Sequence, residues 1–302
     1  MRATIIAAWC VCHAAAAAPP AHRAVVYVAE TSTGTVAVYA SDTPTPPTAP
    51  LYTFSILPGT EQGLSVSAGG NLFLADSYTT WAYQYAPGQT RPRFGYPTAY
   101  TPQATAEVGQ TLYVMEGQLD SIHADILAFR KANAQPIRVL SDSAMVVPTA
   151  MTADGAGNII VAYADASFST FKYGVFPHGQ MPMVQLALPQ NLCIAMAVDA
   201  SGNLLVENPS VTELAKSDIH IFPPGSVTER REKDGLPSFS ALSFTADGTS
   251  LYATPQSGQT FIKYAYPSFK MIYRVKDGHA NKRFGFAGTA AAPALQAGAW
   301  WK

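Results

Sequence analysis

"DIHIFPPGS", residues 218–226, ends an alternating apolar run in a proline–proline–glycine corner. The pattern recurs. "KYGVFPHGQ" (172–180) and "AYQYAPGQT" (82–90) each bring an aromatic residue, a proline and a glycine after such a run, and "IKYAYPSFK" (262–270) does so in weaker form. Alternation predicts a strand before each corner. Proline fixes φ and donates no hydrogen bond, which suits the end of an outer strand, and glycine supplies the turn. The aromatic residue is expected to pack between neighbouring units.

A second column has the same step. The short apolar runs "AVVYVAE" (24–30), "GNLFLAD" (70–76), "QTLYVME" (110–116), "GNIIVAY" (157–163), "GNLLVEN" (202–208) and "TSLYATP" (249–255) end at Glu30, Asp76, Glu116, Tyr163, Asn208 and Pro255. Those ends lie 46, 40, 47, 45 and 47 residues apart. The corners follow at Gly88, Ala132, Gly179, Gly225 and Phe269, with Thr43 matching in the first unit. Each unit divides into four short strands. In the fifth they are "CIAMAVD", "LLVEN", "DIHIF" and "VTERREK", with the tight turn "ASGN" between the first two. A four-stranded unit of about 45 residues is the size of a β-propeller blade.

Six such runs predict an all-β, six-bladed β-propeller with four antiparallel strands per blade. The first unit begins at its second strand. Near the other end "KRFGFAGTAAAP" (282–293) is similar to the first strand of the sixth unit, "SALSFTADGTS" (240–250). The expectation is that this late segment completes blade 1 and closes the ring, removing its open edges. The organisation predicted is a leader over 1–22, the propeller over 23–293 and a tail over 294–302.

Composition agrees. Of 302 residues, 48% are hydrophobic and only 13% charged, which excludes a disordered chain. Fifteen Tyr, fourteen Phe, 22 Gly and 23 Pro favour strands and turns over helices. The formal net charge is −1 and the Lys and Arg are scattered, so nucleic acid is not an expected partner. The start, "MRATIIAAWCVCHAAAAAPPAHR", has Arg2, then an apolar stretch and an alanine run, the pattern of a secretory signal. Its apolar part is too short to span a bilayer, so the protein is expected to be secreted or periplasmic, without a transmembrane anchor. Cys10 and Cys12 fall in that leader, which leaves Cys193 alone in an apolar strand as a buried structural thiol. A monomer is expected.

The pattern V-x-x-x-G-N-[LI]-x-V-[AE]-[DN], met in "VDASGNLLVEN" (198–208) and, with Leu74 in place of the second valine, in "VSAGGNLFLAD" (66–76), resembles NHL-repeat propellers and the six-bladed gluconolactonase/senescence-marker group. The corner is also similar to that of secreted bacterial propellers. The resemblance covers nearly all of residues 24–293. It implies the fold, and, through the lactonases of that group, a divalent cation in the central channel. The framing sequence around the first glutamate of that group is missing here.

Candidate chemistry lies at the ends of the second strands, where loops converge on one face of a propeller. Glu30, Asp76, Glu116 and Asn208 offer oxygen ligands for Ca²⁺ or another divalent cation. The alternative is that each caps the backbone of its own turn. The third unit adds Asp120, His123 and Asp125 in "MEGQLDSIHAD" (115–125), and "GHANKRFG" (278–285) adds His279 and Arg283. No Ser-His-Asp arrangement, phosphate loop or nucleotide fingerprint is present. Two functions follow. The favoured one is a non-catalytic propeller that binds a protein, peptide or glycan through loops on one face. The other is a metal-dependent hydrolase or lyase acting on a sugar-lactone-like substrate.

Overall fold

The computed structural model describes residues 24–30, 34–41, 43–56, 61–67, 69–76, 78–118, 123–165, 169–209, 216–237, 239–245, 248–255, 260–276, 285–287 and 300. They form six four-stranded antiparallel sheets. Blade 1 holds β1 (Val25–Glu30), β2 (Thr35–Ala40) and β3 (Tyr52–Ser55). Blade 2 is β4 (Glu61–Val66), β5 (Leu72–Asp76), β6 (Trp81–Tyr85) and β7 (Phe94–Pro97). Blade 3 is β8 (Thr101–Val108), β9 (Thr111–Gln118), β10 (His123–Arg130) and β11 (Pro136–Ser141). Blade 4 is β12 (Val147–Ala153), β13 (Ile159–Ala164), β14 (Phe171–Phe176) and β15 (Val184–Leu186). Blade 5 is β16 (Ala195–Val198), β17 (Leu204–Pro209), β18 (Lys216–Phe222) and β19 (Arg231–Pro237). Blade 6 is β20 (Phe239–Phe244), β21 (Ser250–Pro255), β22 (Thr260–Ala265) and β23 (Lys270–Lys276). The last strand, β24 (Gly285–Ala287), pairs with β1 as the innermost strand of blade 1.

The ring closes as the sequence predicts. Glu30 pairs with Gly285, Ala29 with Phe286 and Val28 with Ala287. Each inner strand touches the next around the ring, from β4 through β8, β12, β16 and β20 to β24 and back to β4. Among the described residues the only helical element is a single 3-10 turn at Pro177–Gly179.

Each joint between neighbouring blades has its own apolar cluster. Leu72 and Leu74 of blade 2 meet Tyr27 and Val36 of blade 1, while Leu112 and Val114 of blade 3 meet Phe73 and Tyr96 of blade 2. Both faces of a blade are therefore covered. That is why second strands such as "IIVAYA" (159–164) are buried at every position and read as continuous apolar runs rather than alternating ones.

The recurring corner is a conformational device. Gly88, Ala132, Gly179, Gly225 and Phe269 all have positive φ, between 55° and 72°. The position demands left-handed backbone whether or not glycine occupies it. Thr43, matched to this column in blade 1, is not left-handed. The predicted packing of the preceding aromatic between blades also holds. Phe176 lies in the blade 3–4 cluster, Phe222 in the blade 4–5 cluster and Tyr85 in the blade 1–2 cluster.

The turn of the first hairpin, at the same end of the blade as the corner, carries a second device. Oδ1 of Asp199 accepts the N–H groups of Ser201 and Asn203, and its Oδ2 accepts the Asn203 side-chain amide at 2.6 Å. Asp154 and Asn158 repeat this arrangement in blade 4. The corner is tied to this turn, since His178 N–H donates to Oδ1 of Asn158 at 2.9 Å. The Asp-x-x-Gly-Asn signature is thus a turn lock, a local use of the side chain that Asp and Asn favour.

Trp300, beyond the closing strand, is fully buried in the joint between blades 4 and 5 beside Phe222, Val198 and Leu188. Its N–H donates to Oδ2 of Asp154 at 2.9 Å, and Gly225 N–H donates to its carbonyl.

Candidate functional site

The side chains that end the second strands point between blades. On β9, Leu112 and Val114 face blade 2, so Glu116, two residues further on, faces blade 2 as well. Its buried Oε2 accepts the N–H groups of Ala99 (2.8 Å) and Tyr100 (3.1 Å), in the link that enters blade 3. Asn208 faces blade 4 by the same parity. Its amide donates to the carbonyl of Leu192 (2.8 Å) and to the Tyr173 hydroxyl (3.4 Å). Asp76 faces blade 1, and its Oδ1 accepts the N–H of Tyr78 at 3.0 Å. Tyr163 is buried against blade 3, where burial and nearby Asp142 push its hydroxyl pKa up to about 12.

These three candidate ligands therefore occupy three different joints, each with a backbone group to satisfy. Among the described residues no three His, Cys, Asp or Glu side chains converge. The side chain of Glu30 lies outside the described residues, as do Asp120, the His123 side chain, His279 and Arg283. Asp125 is half-buried on β10, directly opposite Glu116 on β9. Two carboxylates so paired repel one another, and the two amides held by Glu116 offset that repulsion.

Glu207 was not a sequence candidate. It is fully buried one position before Asn208 and faces the other way, toward blade 6, where Oε1 accepts the N–H of Phe239 at 3.1 Å. Its signal was available in the strand parity, since adjacent residues serve opposite joints. Cys193 is buried as expected. Burial, and next the charge of Glu207, hold its thiol pKa well above the ordinary value.

The most exposed large hydrophobic side chain among the described residues is on this loop face. In the connection between β5 and β6 of blade 2, Tyr78 is 75% exposed and Trp81 38% exposed. The turn is held at both ends. Besides the Asp76–Tyr78 bond, Thr98 N–H donates to the Thr80 carbonyl at 2.9 Å. Thr80 has φ 54°, a left-handed conformation that a β-branched residue adopts only at a cost. Trp81 lies over Gly95 of β7: a Cβ built on Gly95 would come 3.0 Å from Cε3 of the indole. A Cβ there would push the ring outward by a few tenths of an ångström. The sequence "SYTTW" (77–81) reads as an ordinary strand start, so neither the exposure nor the shelf could be inferred from it.

No protein-family model matches this sequence, and no curated protein matches it significantly. Solved structures do match. A chain of the nidogen/laminin complex is 16% identical with a TM-score of 0.64, over 87% of this chain and 97% of that one. A protein of unknown function from Bacteroides caccae is 12% identical with a TM-score of 0.63, over 88% and 98%. The β-propeller domain of Cps50 (Swd1) from Myceliophteria thermophila is 11% identical with a TM-score of 0.55, over 89% and 90%. At such identities the likeness is one of fold.

Proposed function

We propose that this protein is a binding scaffold that takes a protein, peptide or glycan ligand on the face formed by the connections between second and third strands, with the Tyr78–Trp81 turn of blade 2 as anchor. The observation that carries this reading is the pinned turn itself. Tyr78 stands in solvent and Trp81 is part-exposed beside it, on a backbone fixed by hydrogen bonds and strained at Thr80. Rigid amphipathic rings of this kind are what binding surfaces use as anchors, because little entropy is lost on contact.

The rest of the molecule supports binding over acid–base chemistry on the axis. Apart from Glu61 and Glu107, the six inner strands carry no Asp, Glu, His, Lys or Arg, and Glu107 is ion-paired with Lys131. Glu116, Asp76 and Asn208 spend polar atoms on backbone groups. One of the similar propellers comes from a complex of two proteins, nidogen and laminin. The alanine-rich leader supports export, where such a scaffold would meet an extracellular ligand. No helix among the described residues is long and apolar enough to cross a membrane.

The test is a side-by-side screen of wild type and Tyr78→Ala/Trp81→Ala on protein and glycan arrays. The double variant is expected to lose the specific signal at least tenfold while melting like wild type. Specific binding that survives the double substitution rejects this face as the anchor.

A further inference from the structure

Resting on that reading, we infer that the ligand of the blade 2 turn is a neutral oligosaccharide, one sugar ring of which stacks on the exposed side of the Trp81 indole. Three observations carry this. The first is the shelf. The indole packs against Gly95, which has no side chain to displace it: a Cβ there would lie 3.0 Å from Cε3 and 3.3 Å from Cζ3, while the residue remains 38% exposed. A part-exposed aromatic ring held against a strand suits the C–H face of a pyranose.

The second is charge. Residues 78–83 and 97–101, which make up the turn and the link beside it, contain no charged side chain. Asp76, which ends β5, and Glu116, which reaches the link, are buried, and their oxygens hold the N–H groups of Tyr78, Ala99 and Tyr100. Among the described residues of this turn and link, an anionic ligand would meet no cation and a cationic one no carboxylate.

The third is hydroxyl content. Thr79, Tyr83 and Thr98 bring hydroxyls to the same turn, the first two 3.5 Å apart and the third donating to the Tyr100 carbonyl. Each can both donate and accept, as sugar hydroxyls do. The size of the patch also favours a sugar. A protein contact of standard size buries about 800 Å² on each partner, much more than one indole face and one tyrosine supply.

The full chain would be titrated with cello-, xylo-, manno-, malto- and chitohexaose, and with polygalacturonate as the charged control. Calorimetry and tryptophan emission are the readouts. At least one neutral hexasaccharide is expected to bind, while polygalacturonate does not. Trp81→Ala should weaken that binding tenfold or more, and Trp81→Phe should restore much of it. Gly95→Val, whose branched side chain would take the place of the ring on β7, should also weaken binding in a protein whose circular dichroism is unchanged. Failure of every neutral hexasaccharide overturns the inference, as does sugar binding that Trp81→Ala leaves intact. A protein ligand that is lost in Trp81→Ala, with no sugar bound by wild type, would overturn the glycan class and leave the anchoring role of the turn standing.

Discussion

The Tyr266 hydroxyl of blade 6 donates to Oδ2 of Asp199 in blade 5 across 2.7 Å. Asp199 already locks its own hairpin turn, so one carboxylate both closes a turn and ties two blades together. Blade 4 uses the same acid differently. Oδ2 of Asp154 receives the Trp300 N–H, from a residue 146 positions away in sequence. Hydrogen bonds to a charged acceptor contribute more than neutral ones. Tyr266→Phe should therefore lower stability by about 1.5–3 kcal/mol. A double-mutant cycle with Asp199→Ala, read by chemical denaturation, should show coupling; strictly additive losses would mean the bond contributes nothing across the joint.

Closure can be separated into two steps. A chain ending at 287 keeps β24 and loses Trp300, and it should remain a folded ring that is less stable by about 3–5 kcal/mol, as for loss of a buried tryptophan side chain. A chain ending at Gly278 also loses β24 and leaves β1 with an open edge. That chain should aggregate or lose its cooperative transition. Calorimetry of the two truncations decides, and a soluble 278-residue form with unchanged melting would contradict closure by β24.

For the acidic column the expected response to calcium is flat. Asp76 and Glu116 already have backbone donors, and they lie in different joints. Glu116→Ala should cost on the order of 2–4 kcal/mol with or without calcium, because two buried amides lose their acceptor. A melting temperature that climbs with Ca²⁺, and climbs less in Asp76→Asn, would instead place a cation among these residues.

Cys193 should resist thiol reagents in native buffer and react on unfolding. Burial removes access, and the raised pKa removes the thiolate that would attack. Rapid labelling of the folded protein would contradict the buried position.

Alkaline pH should unfold the protein. Burial pushes the hydroxyls of Tyr85, Tyr163 and Tyr264 up to about 12 from the ordinary 10.0, and Tyr27 and Tyr173 higher still. A folded-state pKa above the unfolded one means the folded state holds more protons between the two values. The stabilisation is thus complete below pH 10 and is lost as pH rises toward 12 and beyond. Each such tyrosine withdraws about 1.4 kcal/mol per pH unit in that window. Denaturation midpoints from pH 9 to 12 should fall steeply above 10; a midpoint constant to pH 12 would contradict the burial of these hydroxyls.

The period and the blade count were readable from the chain because they rest on local chemistry repeated from blade to blade, and the closure because residues 282–293 are similar to an inner strand. A corner needs left-handed backbone, so Gly88, Gly179 and Gly225 mark it. A strand covered on both sides needs continuous apolar residues, so "LFLAD" and "IIVAYA" mark it. The roles of individual polar residues were not readable. Whether Glu116 meets a cation or the amides of Ala99 and Tyr100 depends on which joint the strand parity turns it into, and on a link that arrives from another blade. The exposure of Tyr78, the shelf that Gly95 makes for Trp81 and the burial of Trp300 beside Asp154 likewise arise between segments that local pattern does not connect. Repetition fixed the architecture from sequence because every blade solves the same backbone problem, while the site required the tertiary structure because each contact there occurs once.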